Sequence, residues 1–275
     1  MNILAEHLNQ RIRKGNPHIY EMLSTVGRQI FFPKGILSQG AEARDKAWHL
    51  NATVGIALEE GKTMYFDSIM SSIDGILPEE SLTYASSYGI GALRKVWKEA
   101  LYQKNPSLEN KVVSLPIVTS GITHAISLFS DLWLDPDDVV ILPDMFWGNY
   151  RLIFETRNGA RISQYSLFSE DGGFNFSGFE QKLKEEARQN AKIAVLLNFP
   201  HNPTGYTVTR DEGCRIVDIL TEVAEGGTDI IVVVDDAYFG LFYEDQTIKE
   251  SLFALLCDRH PRLLAIKLDG ATKES

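Results

Sequence analysis

Close to the end of the chain, in the stretch LDGATKES, Gly270 and Thr272 lead up to Lys273. A lysine behind so small and flexible an approach is either a solvated surface residue or an amine delivered to a reactive site. Upstream, the apolar run TDIIVVVDD ends on Asp235 and Asp236. A carboxylate at the end of a buried strand is costly unless it is paired or hydrogen-bonded, and the alternative is a helix N-cap. Successive side chains of a strand face opposite ways, so Asp236 is the weaker candidate for whatever Asp235 meets. Earlier still comes NFPHNPTG, in which Asn202, Pro203, Thr204 and Gly205 either merely turn the chain or present the Asn202 amide to a ligand.

These residues need a frame. From about residue 110 onward, apolar runs alternate with amphipathic stretches. VVSLPIVTS reads as a strand, and ITHAISLFSDLWL places Ile122, Ala125, Ile126, Phe129 and Trp133 on one helical face. DVVILPD is the next strand, followed by a helix through NYRLIFETRN and a strand at RISQYSL. SGFEQKLKEEARQN reads as a Ser-capped surface helix, KIAVLLNF as a buried strand, and TRDEGCRIVDILTEVAEGG as a capped helix ending at glycines. TDIIVVVDD and RLLAIKLDG close the series as strands. The alternation predicts an α/β fold, a mostly parallel sheet with helices on both faces, and ligands of such sheets bind at the C-terminal strand ends. Five groups fall at those ends: TSGIT, PDMFWGNY, NFPHNPTG, DDAYFG and DGATK.

Composition narrows the function class. The 275 residues are 44% hydrophobic and 23% charged, which suits one large or two ordinary globular domains. A formal net charge of -10 with scattered Lys and Arg argues against nucleic acid or an anionic membrane as partner. The N-terminal stretch has no continuous apolar core, and no later run approaches membrane-spanning length, so a cytoplasmic location is expected. Cys214 and Cys257 are too few for a disulfide framework, and the six histidines show no paired metal-ligand spacing, so no metal is expected. The sequons at Asn51 and Asn175 are read as chance matches in the absence of a secretory signal.

Taken together, the five strand-end groups resemble the class I and II aminotransferases of fold type I, the pyridoxal phosphate enzymes related to aspartate aminotransferase. The resemblance covers roughly residues 30 to 275 and rests on the order and spacing of the motifs. It implies a large domain of the pyridoxal phosphate transferase type over residues 76–275, with residues 1–75 forming an N-terminal segment and part of a small domain. It also implies roles. Asn202 and Tyr238 would donate to the phenolic oxygen of the cofactor, and Asp235 would pair with the protonated pyridine nitrogen so that the ring can accept electrons. Tyr238 is otherwise a core tyrosine. Gly121, Ile122 and Thr123 would offer helix N-terminal N–H groups and a hydroxyl to the cofactor phosphate. Trp147 would stack on the ring, with Phe146 as its neighbour and competitor. Lys273 would form the Schiff base and shuttle the α-proton, whereas Lys267, inside a strand, reads as structural.

In YASSYGIGALR the glycines do not make a dinucleotide loop, because Arg94 stands where the third would be. The family pattern is instead met by Tyr84, Gly89, Leu93 and Arg94, which implies that Tyr84 reaches the phosphate of a neighbouring subunit in a homodimer with shared sites. FFPKGILSQG resembles the segment lining the substrate pocket, so Gly35 and Ile36 either approach substrate or form a surface turn. Two features depart from the family. Gly270 replaces a frequent hydroxyl residue, and the arginines that grip the phosphate and the substrate carboxylate in family members lie beyond the last residue here. The chain is therefore expected to be the N-terminal segment and most of the large domain of a longer enzyme. The implied activity is transfer of an amino group from an amino acid to a 2-oxo acid; a carbon–sulfur β-lyase and a non-catalytic cofactor-binding sensor domain are the alternatives.

Overall fold

A computed structural model of the chain describes residues 2–15, scattered residues between 28 and 86, and all of 88–273. The chain forms two compact units, one from Met1–Met22 with Phe31–Ser87 and the other from Leu23–Ile30 with Tyr88–Ser275. In the first, helix α1 (Ile3–Gly15) and a two-stranded antiparallel ribbon of β1 (Leu58–Glu59) and β2 (Lys62–Thr63) are described. Gly35, Ile36 and Tyr84 lie outside the described residues.

Among the described residues the second unit is built on five strands, β3 (Val139–Pro143), β4 (Arg161–Tyr165), β5 (Lys192–Asn198), β6 (Asp229–Asp235) and β7 (Leu263–Leu268). They lie in the order β4-β3-β5-β6-β7 with every neighbouring pair parallel. β5 and β6 are runs of Ile, Val, Leu and Ala buried on both faces, as central parallel strands must be. The helices are α2 (Gly91–Lys104), α3 (Ile122–Trp133), α4 (Asn149–Arg151), α5 (Phe176–Ala187), α6 (Arg210–Glu225) and α7 (Leu252–Leu256). On one face Val140, Leu142, Ala194, Leu196, Ile231 and Val233 pack with Ile126 and Phe129 of α3 and with Tyr150 of α4. On the other, Ile141, Val195, Val232 and Val234 pack with residues of α5, α6 and α7. This is the α/β arrangement, helices on both faces of a parallel sheet, that the alternation predicted.

The chain passes from β3 to β4 on one side, then crosses to β5 on the other side of β3. Parallel sheets bind ligands at such a reversal, outside the C-terminal strand ends.

Some local expectations were wrong. VVSLPIVTS is not a strand: Val112 is 91% exposed, and side chains of α2 take up the segment's backbone groups. Lys98 donates to the Val113 carbonyl, Arg94 to that of Pro116 and Tyr102 to that of Lys111. The helix after β3 turns π-helical over Leu152–Asn158. α5 is capped by Asn175, whose Oδ1 accepts from the Gly178 N–H at 3.0 Å, rather than by Ser177. α6 carries a capping box, with Thr209 accepting from the Glu212 N–H and Glu212 from the Thr209 N–H.

Candidate active site

On the α3 side of the sheet, at the C-terminal strand ends, lies a cavity of about 290 Å³, near the lower bound of the ~300–1,000 Å³ usual for small-molecule sites. Gly121, Ile122 and Thr123 line it from the start of α3, and Trp147 and Tyr150 from the segment after β3. Asn198 and Asn202 come from the end of β5, and Asp235, Ala237 and Tyr238 from the end of β6. Gly270, Thr272 and Lys273 follow β7. Every expected site residue that falls among the described residues is therefore in this one wall, although the motifs that carry them span residues 121 to 273.

Asp235 is 2% exposed. Its Oδ2 accepts from the Tyr150 hydroxyl at 2.6 Å, and its Oδ1 from the Ala237 N–H at 3.0 Å. Burial nonetheless pushes the carboxyl above the ordinary carboxylate value, against those two bonds and the charges of Lys273 and Lys267. Tyr150 is likewise pushed up, first by its own burial and then by the Asp235 charge. The partners present do not offset the desolvation of this carboxylate, and a cationic group in the cavity would.

The N-terminus of α3 presents the opposite polarity. Gly121 is the N-cap with φ 125, a conformation that side-chain-bearing residues avoid, and no side chain caps the helix. A Cβ at this glycine would meet nothing within 4 Å, and the residue lines the cavity. Helix-start N–H groups left without side-chain partners suit an anion such as a phosphate.

The NPTG turn is tied to the end of β5 through Asn198. Asn198 Oδ1 accepts from the Asn202 N–H at 2.8 Å, and Asn198 Nδ2 donates to the Asp235 carbonyl at 2.8 Å. Gly205 takes φ 75, the left-handed region that favours glycine, and its N–H donates to the His201 carbonyl at 2.7 Å. The peptide bonds before Pro200 and Pro203 are cis. Asn202 Nδ2 donates to the Tyr238 hydroxyl at 3.3 Å, and the Lys273 ammonium lies 4.6 Å from the centre of the Tyr238 ring. Lys273 is exposed at the rim. Trp147 meets Tyr150 edge-on, with ring centres 5.5 Å apart.

Two polar wall residues were not singled out from the sequence, Tyr150 and Asn198. Asn198 carried a usable signal, a polar residue closing a buried strand, the same one that singled out Asp235. Tyr150 did not, since a tyrosine one helical turn after Trp147 is indistinguishable from core. Lys267 is turned to the other face and ion-paired with Asp236. Among the described residues, no group of three or more His, Cys, Asp and Glu could hold a metal ion, and no helix is long and apolar enough to cross a membrane.

The sequence model of the family described as aminotransferase class I and II matches residues 74–267. The chain belongs to the class I and II aminotransferases. An aspartate aminotransferase of Sulfurisphaera tokodaii is 29% identical over 181 residues, 65% of this chain and 42% of that protein. One from Bacillus subtilis is 26% identical over 241 residues, 88% of this chain and 58% of that protein. Among solved structures, an aminotransferase from Anaerococcus prevotii matches with a TM-score of 0.74 at 26% identity, over 87% of this chain and 60% of that one. This aminotransferase-family chain thus spans about half the length of the curated relatives it matches.

Proposed function

We propose that the chain is the cofactor-binding part of an aminotransferase that moves an amino group from an amino acid to a 2-oxo acid with pyridoxal 5'-phosphate. The observation that carries this reading is the composition of one cavity wall: a buried carboxylate short of a cation, an uncapped helix N-terminus and a lysine amine. These three groups fit the three ends of that cofactor, its ring nitrogen, its phosphate and its aldehyde. When bound, pyridoxal phosphate supplies a protonated ring that takes up the electron pair left as the substrate loses its α-proton.

The residues of this chain would do the rest. The N–H groups of Gly121, Ile122 and Thr123, with the Thr123 hydroxyl, bind the phosphate. Asp235 keeps the ring nitrogen protonated. Asn202 and Tyr238 donate to the phenolic oxygen, and Trp147 walls one side of the ring. The Lys273 amine would hold the cofactor at its aldehyde carbon and, when free, would take the proton from the substrate α-carbon and return it at the C4' carbon. Lys267 is unsuited to that part, because its ammonium is engaged by Asp236 and Asp269 on the opposite face.

The same reading extends to a homodimer in which Tyr84 reaches the partner's phosphate, to Gly35 and Ile36 approaching substrate, and to a cytoplasmic location. Within it, residues 76–275 are the large domain and 1–75 an N-terminal segment with part of a small domain. The relatives described above are named aminotransferases, which favours amino-group transfer over the carbon–sulfur lyase and sensor alternatives. The test is borohydride reduction of the cofactor-loaded protein followed by peptide mapping. An adduct on Lys273 is expected; an adduct on Lys267, or no adduct on the full natural polypeptide, would overturn the reading.

A further inference from the structure

Behind the cavity wall, on the opposite face of the sheet, lies a second set of charged groups to which the reaction assigns no part. Lys267 sits inside β7 with its side chain only 7% exposed. Its ammonium is hydrogen-bonded to Asp236 Oδ2, lies 3.3 Å from Asp269 Oδ2, and stands 4.9 Å from the centre of the Phe239 ring. Asp236 is 1% exposed, and burial pushes its carboxyl up to about 6 although Lys267 and Ser251 act against it. The indole N–H of Trp97, on α2, donates to Asp269 Oδ2 at 3.3 Å.

Each carboxylate is chained to a cavity residue. Asp236 follows Asp235 in sequence, and its N–H donates to the Leu268 carbonyl at 2.9 Å, extending the β6–β7 ladder past Asp235. Asp269 uses its second oxygen, Oδ1, to accept from the Gly270 N–H at 2.9 Å. Gly270 is the first residue of the stretch that ends on Lys273, and it is seated against α3: a Cβ there would lie 3.4 Å from the Ile122 side chain.

We propose that Lys267 is a positioning residue, whose buried ammonium clamps Asp236 and Asp269 and so fixes the separation of Asp235 and Lys273 across the cavity. The inference rests on the functional reading above, in which those two residues address opposite ends of one cofactor. Stability alone does not account for the cluster, because a well-packed apolar residue in place of a buried ion pair is commonly neutral or stabilising. A single cation held by the strand end on one side and by the lysine-bearing turn on the other removes freedom from the two elements whose relative placement sets the chemistry.

The experiment compares Lys267→Met with Arg161→Met in the full natural polypeptide. The latter breaks another ion pair, to Glu186, whose side chain is 5% exposed. Amide hydrogen exchange is measured without cofactor, and kcat and KM with it. In Lys267→Met, exchange at Gly270 is expected to rise at least ~10-fold with β5 unchanged, and kcat to fall on the order of 100-fold with KM within about threefold. Arg161→Met should do neither. Unchanged exchange at Gly270 in Lys267→Met, or the same pattern in Arg161→Met, would overturn the proposal. Should Lys267→Met not fold, Trp97→Phe removes one donor from Asp269 and should raise Gly270 exchange by a smaller factor; no rise there also overturns it. A wild-type chain that takes up no pyridoxal phosphate would sink the functional reading, while the cofactor-free exchange comparison still decides whether the clamp exists.

Discussion

The Tyr150 hydroxyl donates to Asp235 Oδ2 across 2.6 Å, with both side chains at most 2% exposed. A hydrogen bond to a charged group contributes about 1.5–3 kcal/mol, and this one favours the ionised form of a carboxyl that burial pushes the other way. Tyr150→Phe should therefore raise the Asp235 carboxyl further, leave less of it ionised, and weaken its hold on a cationic ring. The expected result is a dissociation constant for pyridoxal phosphate about tenfold larger by fluorescence titration, with the loss growing as pH is lowered. An unchanged constant across pH would show that Tyr150 only fills space.

Asp235→Asn tests the counter-charge itself. The amide keeps the size of the side chain, its one oxygen can still accept from the Ala237 N–H, and its NH2 group can donate to the Tyr150 hydroxyl, so cofactor uptake should persist. It offers no charge to a pyridinium, so exchange of the substrate α-proton in deuterated water should slow by orders of magnitude. Exchange near the wild-type rate would remove Asp235 from that role.

Much of this wall was legible because parallel sheets send their functional residues to one end. Asp235, Asn202 and Lys273 each follow an apolar run, and that placement is visible without a structure. Tyr150 and Lys267 were not legible for the converse reason. A tyrosine at a helix start and a lysine flanked by Ile266 and Leu268 look like packing, and their partners, Asp235 and Asp269, are assigned only by the sheet's register and side-chain directions. VVSLPIVTS misled in another way, since its apolar pattern says nothing about whether a neighbouring strand or the side chains of α2 will satisfy its backbone.

Asn198 joins two strand-end loops through one amide, taking the Asn202 N–H and giving to the Asp235 carbonyl. Replacing it by Leu keeps the branching of the side chain and strands both backbone groups, each costing about 1–3 kcal/mol if buried without a partner. Asn198→Leu should lower the thermal midpoint by roughly 4–24 °C, at about 2–4 °C per kcal/mol for a unit of this size. A fall below about 2 °C would mean that water replaces the amide at both positions.

At the other end of the sheet from the cavity, Glu186 of α5 accepts from Arg161, the first residue of β4, at 3.0 and 2.6 Å and from Ser163 Oγ at 2.6 Å. The Arg161 guanidinium, helped by Ser163 and opposed by burial, holds the Glu186 carboxyl down at about 2, below its ordinary 4.5. A carboxyl whose folded value lies below its unfolded one contributes stability that is fully present above about 4.5 and is lost as pH falls through about 2. Glu186→Gln retains a hydrogen-bonding group but cannot release a proton, so its deficit relative to wild type should be largest at pH 6–7 and should shrink steadily below pH ~4.5. Urea unfolding of both proteins at pH 7, 4 and 3 reads this directly. A deficit that stays constant over that range would mean that Glu186 titrates alike in the folded and unfolded chains, and that the ion pair with Arg161 does not hold in solution.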